Sequence, residues 1–263
     1  MTTRPTDALS TVLASALALL LGVLLGAPLV ALVASTSLTD LAAAASAREA
    51  GQALRLSLAT SFASVALVVA GGTPLAWWLA RSEGRGARLV EVLALVPIVL
   101  PPSVAGVALL LAFGRHGPLG GWLGSLAFTT PAVVLAETFV AAPFFVLAAT
   151  SAFRRIDPRV LLVARTLGAS GPTVFARVAV PIAAPGLIAG AAMTWARALG
   201  EFGATLMFAG NMEGRTQTLP LAIYTAFESD LGVARALSVL LVVVALAVLV
   251  GVRRLERTDE RAA

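Results

Sequence analysis

Residues 157–181 read Asp-Pro-Arg-Val-Leu-Leu-Val-Ala-Arg-Thr-Leu-Gly-Ala-Ser-Gly-Pro-Thr-Val-Phe-Ala-Arg-Val-Ala-Val-Pro. Asp157 before Pro158 is a helix start: a side-chain oxygen for the free N–H groups, then a ring with φ preset for the first turn. Gly168 suits the left-handed position that closes a helix. Ser170 can cap a second short helix containing Phe175 and Val178, and Pro181 opens the next apolar segment. The first helix would be about 15 Å long. Val160, Val163, Ala164 and Leu167 share one face, with Arg159 and Arg165 elsewhere. Such a helix either lies on a membrane interface or inserts its apolar face into a partner's groove. The residues alone leave both open.

The flanks of this stretch are apolar. Upstream lies Pro131–Phe153, interrupted only by Glu137, and downstream is the charge-free run between Arg177 and Arg197. Further charge-free runs separate Asp7 from Asp40, Arg55 from Arg81, Glu91 from Arg115 and Arg235 from Arg253. A bilayer core about 30 Å thick needs about 20 apolar residues in a helix. The pattern therefore predicts an all-α integral membrane protein with six transmembrane helices, near 9–34, 55–80, 90–113, 131–153, 181–206 and 232–252. The polar loop 157–180 joins the fourth to the fifth. The polar gaps are too short for a soluble domain, so residues 1–263 read as a single transmembrane domain.

Composition excludes the alternatives. Of 263 residues, 59% are hydrophobic and 13% charged, and the mean hydropathy is +0.93. That is too little polar surface for a soluble domain and too much apolar residue for disorder. The 19 basic residues are all arginine, giving a net charge of +5. They cluster between apolar runs, which favours a membrane over nucleic acid as the reason for the basic balance. Without cysteine and with one histidine, His116 in a turn, the chain offers no disulfide, thiolate or histidine metal site. It carries no phosphate-binding GxxxxGK[ST] loop, and we expect no catalytic residue, resident cofactor or metal.

The arginines also orient the chain. Arg4, the loop with Arg81, Arg85 and Arg88, the loop with Arg154, Arg155, Arg159, Arg165 and Arg177, and the tail with Arg253, Arg254, Arg257 and Arg261 fall on one side. Arg48, Arg55, Arg115, Arg215 and Arg235 fall on the other. The positive-inside rule then puts both termini in the cytoplasm. The apolar region from Ala8 is about twice the 7–15 residues of a signal-peptide core, so the first helix is expected to remain as an anchor.

Residues 164–170, Ala-Arg-Thr-Leu-Gly-Ala-Ser, followed by Val180-Pro181, resemble the EAA loop of ABC-transporter permeases. Gly168 matches the motif's glycine and Ala164 its second alanine; Leu162 and Val163 stand where its glutamate and first alanine would be. Four further blocks are similar to molybdate permeases: Leu95-Val-Pro-Ile-Val-Leu-Pro-Pro102, Gly114-Arg-His-Gly-Pro-Leu-Gly120, Ala196-Arg-Ala-Leu-Gly-Glu-Phe-Gly-Ala-Thr205 and Gln217-Thr-Leu-Pro-Leu-Ala-Ile-Tyr224. Sulfate permeases share part of this. The resemblance covers about residues 50–250. It implies a permease subunit in the bacterial cytoplasmic (inner) membrane, importing a tetrahedral oxyanion, with molybdate first and sulfate or tungstate as alternatives. It implies that Ala164, Arg165, Thr166, Leu167, Gly168, Ala169 and Ser170 form a coupling helix and loop gripped by a partner ATPase, which uses the ATP and Mg2+. The other implied partners are a second permease copy, two ATPase subunits in all, and an extracytoplasmic oxyanion-binding protein on outer loops including 207–231.

Within the spans, Arg197 and Glu201 lie four apart on the fifth helix and face one another. They read either as a packing pair or as a source of positive potential on the pathway. Pro97, Pro101 and Pro102 break the third helix, as a pathway-lining kink or a structural bend. Glu137, near the outer end of the fourth helix, reads as a gate residue, or as one that is interfacial or hydrogen-bonded inside the bundle. Gly200 and Gly203, with Ala196 and Ala204, offer a small-residue face on the fifth helix, expected near the subunit interface. Trp77 and Trp78 read as interfacial anchors. A secondary transporter driven by an ion gradient, or a scaffold without substrate, are the rival readings.

Overall fold

The computed structural model of the chain describes residues 5–262. Arg4 of the orientation argument lies outside the described residues, as do the side chains of Arg253, Arg254, Arg257 and Arg261. Among the described residues all regular structure is helical. The helices are α1 (Pro5–Ala34), α2 (Leu38–Ser46), α3 (Arg48–Arg81), α4 (Arg85–Val99), α5 (Pro102–Phe113), α6 (Gly120–Leu123) and α7 (Thr130–Arg154). They continue with α8 (Pro158–Thr166), α9 (Gly171–Val174), a π-helical turn at Phe175–Ala179, α10 (Val180–Leu199), α11 (Gly203–Ala209), α12 (Leu219–Ser229) and α13 (Leu231–Ala262).

Five helical stretches are long and apolar enough to cross a membrane: Thr11–Ala34, Arg48–Arg81, Thr130–Arg154, Gly171–Leu199 and Leu231–Gly251. The expected third span, 90–113, is not one helix. It is the pair α4 and α5, bent by 119°. The sequence dictates where it breaks. Pro101 drives Leu100 out of the α region, to ψ 130°, and Pro102 does the same to Pro101, at ψ 135°. Pro102 then occupies the first turn of α5, where its missing N–H costs nothing.

The expected fifth helix, 181–206, is also divided. It begins earlier, through α9 and the π-helical turn, and ends at Leu199. The chain resumes as α11 only at Gly203.

α7 lies at the centre, packed on α3 and α10. Glycines allow this closeness. A Cβ at Gly72 of α3 would sit 2.8 Å from the Phe145 ring, and one at Gly190 of α10 would sit 2.9 Å from Ala148 Cβ. Three apolar clusters follow. One joins Phe145, Ala149 and Phe153 to Leu161 of α8 and Val174 of α9. Another joins α2, α3, α12 and α13 around Leu219 and Leu237. The third joins α5, α7 and α11 around Leu109, Val133 and Phe208. By contrast, the described side chains of α1 are almost wholly uncovered, an arrangement stable only with lipid or another helix around it.

Candidate functional site

The loop after α7 forms the helix its sequence specifies. Asp157 Oδ1 accepts the Arg159 N–H at 2.8 Å, and α8 ends with Gly168 at φ +87°. The Ala169 N–H donates to the Ala164 carbonyl at 3.1 Å, and the Gly168 N–H donates to the Arg165 carbonyl at 2.9 Å. This pair of bonds is a Schellman closure, which needs the left-handed residue that glycine supplies. Ser170 then caps α9, accepting from the Thr173 N–H at 3.4 Å.

α8 has two apolar arcs. Leu161 is buried and Ala164 half-buried against Phe153 and Val174. Val160, Leu162, Val163 and Leu167 face outward, and Leu167 is 82% exposed. Ala164 therefore belongs to the inward arc rather than to the outward stripe expected for it. Arg165 and Thr166 are exposed, and Ala169 packs beneath the loop.

Trp77 corrects another expectation. It does not merely mark the membrane interface; its ring lies 5.4 Å from Phe153 and 5.7 Å from Phe175, between α7 and the π-helical turn. Of the pair, Trp78 is the one that remains exposed. Trp77, Phe153, Leu161, Val174 and Phe175 thus pack α8 and α9 against the ends of three spanning helices at once.

The breaks in the two interrupted spans meet. A Cβ at Gly203 would lie 2.8 Å from Pro102 Cβ, and one at Gly106 would lie 2.6 Å from Met207 Cβ. Gly203 and Ala204 thus serve a contact between α11 and α5 of the same chain, and Gly200, at the end of α10, faces open space apart from Ala196. The small-residue face expected on one continuous helix is split.

Arg197 and Glu201 flank the second break. Arg197 is in the last turn of α10, and its Nη2 approaches Glu201 Oε2 at 2.7 Å. Glu201 is beyond the helix end, and its Oε1 accepts the Ala204 N–H at 2.8 Å. One carboxylate therefore joins the end of α10 to the start of α11. It is also sealed: the Glu201 side chain is 1% exposed, against 28% for Arg197. Non-helical backbone at membrane depth is tolerated only beside protein or water, and here protein carboxylate and helix cover it. Pro97, buried in α4, lies one turn before the first break.

A second buried carboxylate lies nearby in the bundle. Glu137 of α7 accepts from Thr60 Oγ1 at 2.9 Å, and Ser64 Oγ lies 3.0 Å from its other oxygen. The same Ser64 hydroxyl reaches the Val134 carbonyl at 2.9 Å, so its one proton serves one acceptor at a time. Ser57 Oγ accepts the Leu219 N–H at 2.7 Å, capping α12 from across the fold. Glu137 is thus hydrogen-bonded inside the bundle. Thr60, Ser64 and Ser57 were not singled out from the sequence, although Ser57, Thr60, Ser61 and Ser64 recur at the spacing of one helix face.

Residues 72–258 match the family model for the inner membrane component of binding-protein-dependent transport systems. The chain belongs to that family. This permease is 50% identical over 204 residues to the molybdenum transport system permease protein ModB of Mycobacterium tuberculosis, covering 76% of this chain and 77% of that one. It is 37% identical over 203 residues to ModB of Escherichia coli strain K12, covering 75% and 89%. Its fold resembles a chain of a bacterial ABC transporter involved in alginate import, with a TM-score of 0.77 at 16% identity over 94% of this chain and 95% of that one. It also resembles a chain of the MetNI methionine ABC transporter, with a TM-score of 0.62 at 22% identity over 78% and 94%. The permease is a transport component, and α8 and the paired breaks are its two distinctive structural sites.

Proposed function

We propose that this chain is the membrane subunit of an ABC importer for a tetrahedral oxyanion, with molybdate as the substrate. The outward apolar stripe of α8, presented on a helix whose other side is locked into the bundle core, carries the reading. The substrate assignment draws on the molybdenum permeases to which the chain is similar. Sulfate and tungstate are the closest alternatives, being tetrahedral dianions of the same charge.

Two copies line one pathway across the bacterial cytoplasmic membrane, with both termini inside. Two partner ATPase subunits bind ATP and Mg2+ and grip α8 and the Ala164–Ser170 loop. An extracytoplasmic binding protein delivers the anion to outer loops including 207–231. Closure of the ATPase pair moves α8, and the aromatic cluster around Trp77 passes that movement to α3, α7 and α10. Glu201 is first a structural tie, since it neutralises Arg197 while capping α11. Arg197, with its partly exposed guanidinium, leaves a weak positive field beside the Pro97–Pro102 break, suited to an anion that must be released.

Uptake of labelled molybdate into proteoliposomes holding this chain, its ATPase and its loaded binding protein tests the reading. ATP-dependent uptake, inhibited by excess molybdate or tungstate but weakly by sulfate, is expected. Uptake without the ATPase would overturn it in favour of a secondary transporter.

A further inference from the structure

A cavity of about 400 Å³ opens between the end of α3 and α8. Its walls include Trp77, Arg81, Leu161, Leu162, Arg165 and Val174. The Arg81 guanidinium sits 4.7 Å above the Trp77 ring centroid, and the Arg165 charge acts on it from across the cavity. Neither arginine has an acid within ion-pair distance among the described residues, where the ion pairs are Arg154–Glu91 and Arg197–Glu201. Two cations sharing one cavity repel unless an anion lies between them.

We propose that this cavity binds the phosphate of an anionic phospholipid from the cytoplasmic leaflet. Guanidinium groups match phosphate oxygens in pairs, and the two arginines approach from different helices. The apolar part of the wall distinguishes a lipid from a free anion: the exposed Leu162, beside the Trp77 ring and above the buried Leu161 and Val174, suits a glycerol backbone and upper acyl chain. Trp77 and Trp78 beside Arg81 set the site at headgroup depth. A basic pocket between helices on the cytoplasmic side is a fitting place for such a headgroup. A lipid held there joins α3 to α8 and keeps α8 at the membrane surface. The inference rests on the cytoplasmic placement of α8 in the proposed function, but not on the identity of the transported anion, and lipid retention by the isolated chain is read without the ATPase.

Native mass spectrometry of the full chain in detergent, titrated with phosphatidylglycerol or phosphatidylcholine, tests it. Wild type should retain phosphatidylglycerol preferentially. Arg81→Gln should lower that preference about fivefold, and Arg81→Gln with Arg165→Gln about thirtyfold, whereas Arg159→Gln, on α8 but off the cavity wall, should leave it unchanged. Arg81→Lys with Arg165→Lys should keep part of the preference. Equal retention of both lipids by wild type would overturn the proposal, as would full preference in the double glutamine variant. Displacement by inorganic phosphate at matched concentration would identify a free-anion site instead and equally overturn it.

Discussion

Gly203 and Pro102 touch so closely that a single added carbon on Gly203 would lie 2.8 Å from the proline Cβ. Two breaks far apart in sequence are therefore one place in the fold. Gly203→Val should push α11 from α5 and destabilise the chain by about 1–3 kcal/mol, the usual cost of overpacking. The midpoint of thermal aggregation in detergent would report it. Gly51→Ala, where a Cβ meets nothing within 4 Å, should leave that midpoint unchanged.

Arg197→Ala leaves Glu201 buried with its charge uncompensated. Because Arg197 is partly exposed, the expected loss is about 2–4 kcal/mol, at or below that of a fully buried pair. Adding Glu201→Gln should restore much of the stability, as an amide oxygen can still accept from the Ala204 N–H. Recovery of stability with uptake still lost would give Arg197 a role on the pathway beyond packing.

Glu137 and its hydroxyl partners should show strong non-additivity. Thr60→Val with Ser64→Ala strands a buried carboxyl and should cost about 3 kcal/mol or more. Adding Glu137→Leu removes the stranded group, so the triple variant should be more stable than the double. Simple additivity in denaturation would show that Glu137 finds other partners.

Gly168→Val forces a β-branched residue to φ near +87°, at a cost of about 1–2 kcal/mol. Opening the Schellman closure should misplace α8 without disturbing the bundle. Uptake per ATP hydrolysed by the assembled importer should fall on the order of tenfold, while Gly168→Asn, which tolerates that conformation, should fall less. Unchanged coupling in the valine variant would remove the loop from the ATPase contact.

Charge-free runs made the spanning segments legible, and Asp157-Pro158 with Gly168 made α8 legible almost to the residue. These are local signals, satisfied by backbone chemistry alone. The 119° bend at Leu100–Pro101 was legible in position but not in extent, because proline fixes where hydrogen bonds are lost and packing decides the direction. The end of α10 at Leu199 was hidden. Arg197, Ala198 and Leu199 are good helix formers, and what ends the helix is Glu201 turning to cap Ala204 while Gly203 seats on Pro102. Similarly, periodicity grouped Ala164 with Val160, but only the position of Phe153 and Val174 decides which arc of α8 faces the core. The hydroxyl stripe from Ser57 to Ser64 was readable; its meaning awaited the partners, Glu137 for Thr60 and Ser64 and the Leu219 N–H for Ser57.

The central claim is that α8 is a cytoplasmic handle held by a partner ATPase. The chain has no cysteine, so a single Leu167→Cys variant carries the sole thiol. In membranes containing the assembled importer, that thiol should react with an impermeant reagent only from the cytoplasmic side and should crosslink to the ATPase subunit. Labelling from the outer side, or a well-assembled importer in which Leu167→Cys never crosslinks to the ATPase, would contradict the account.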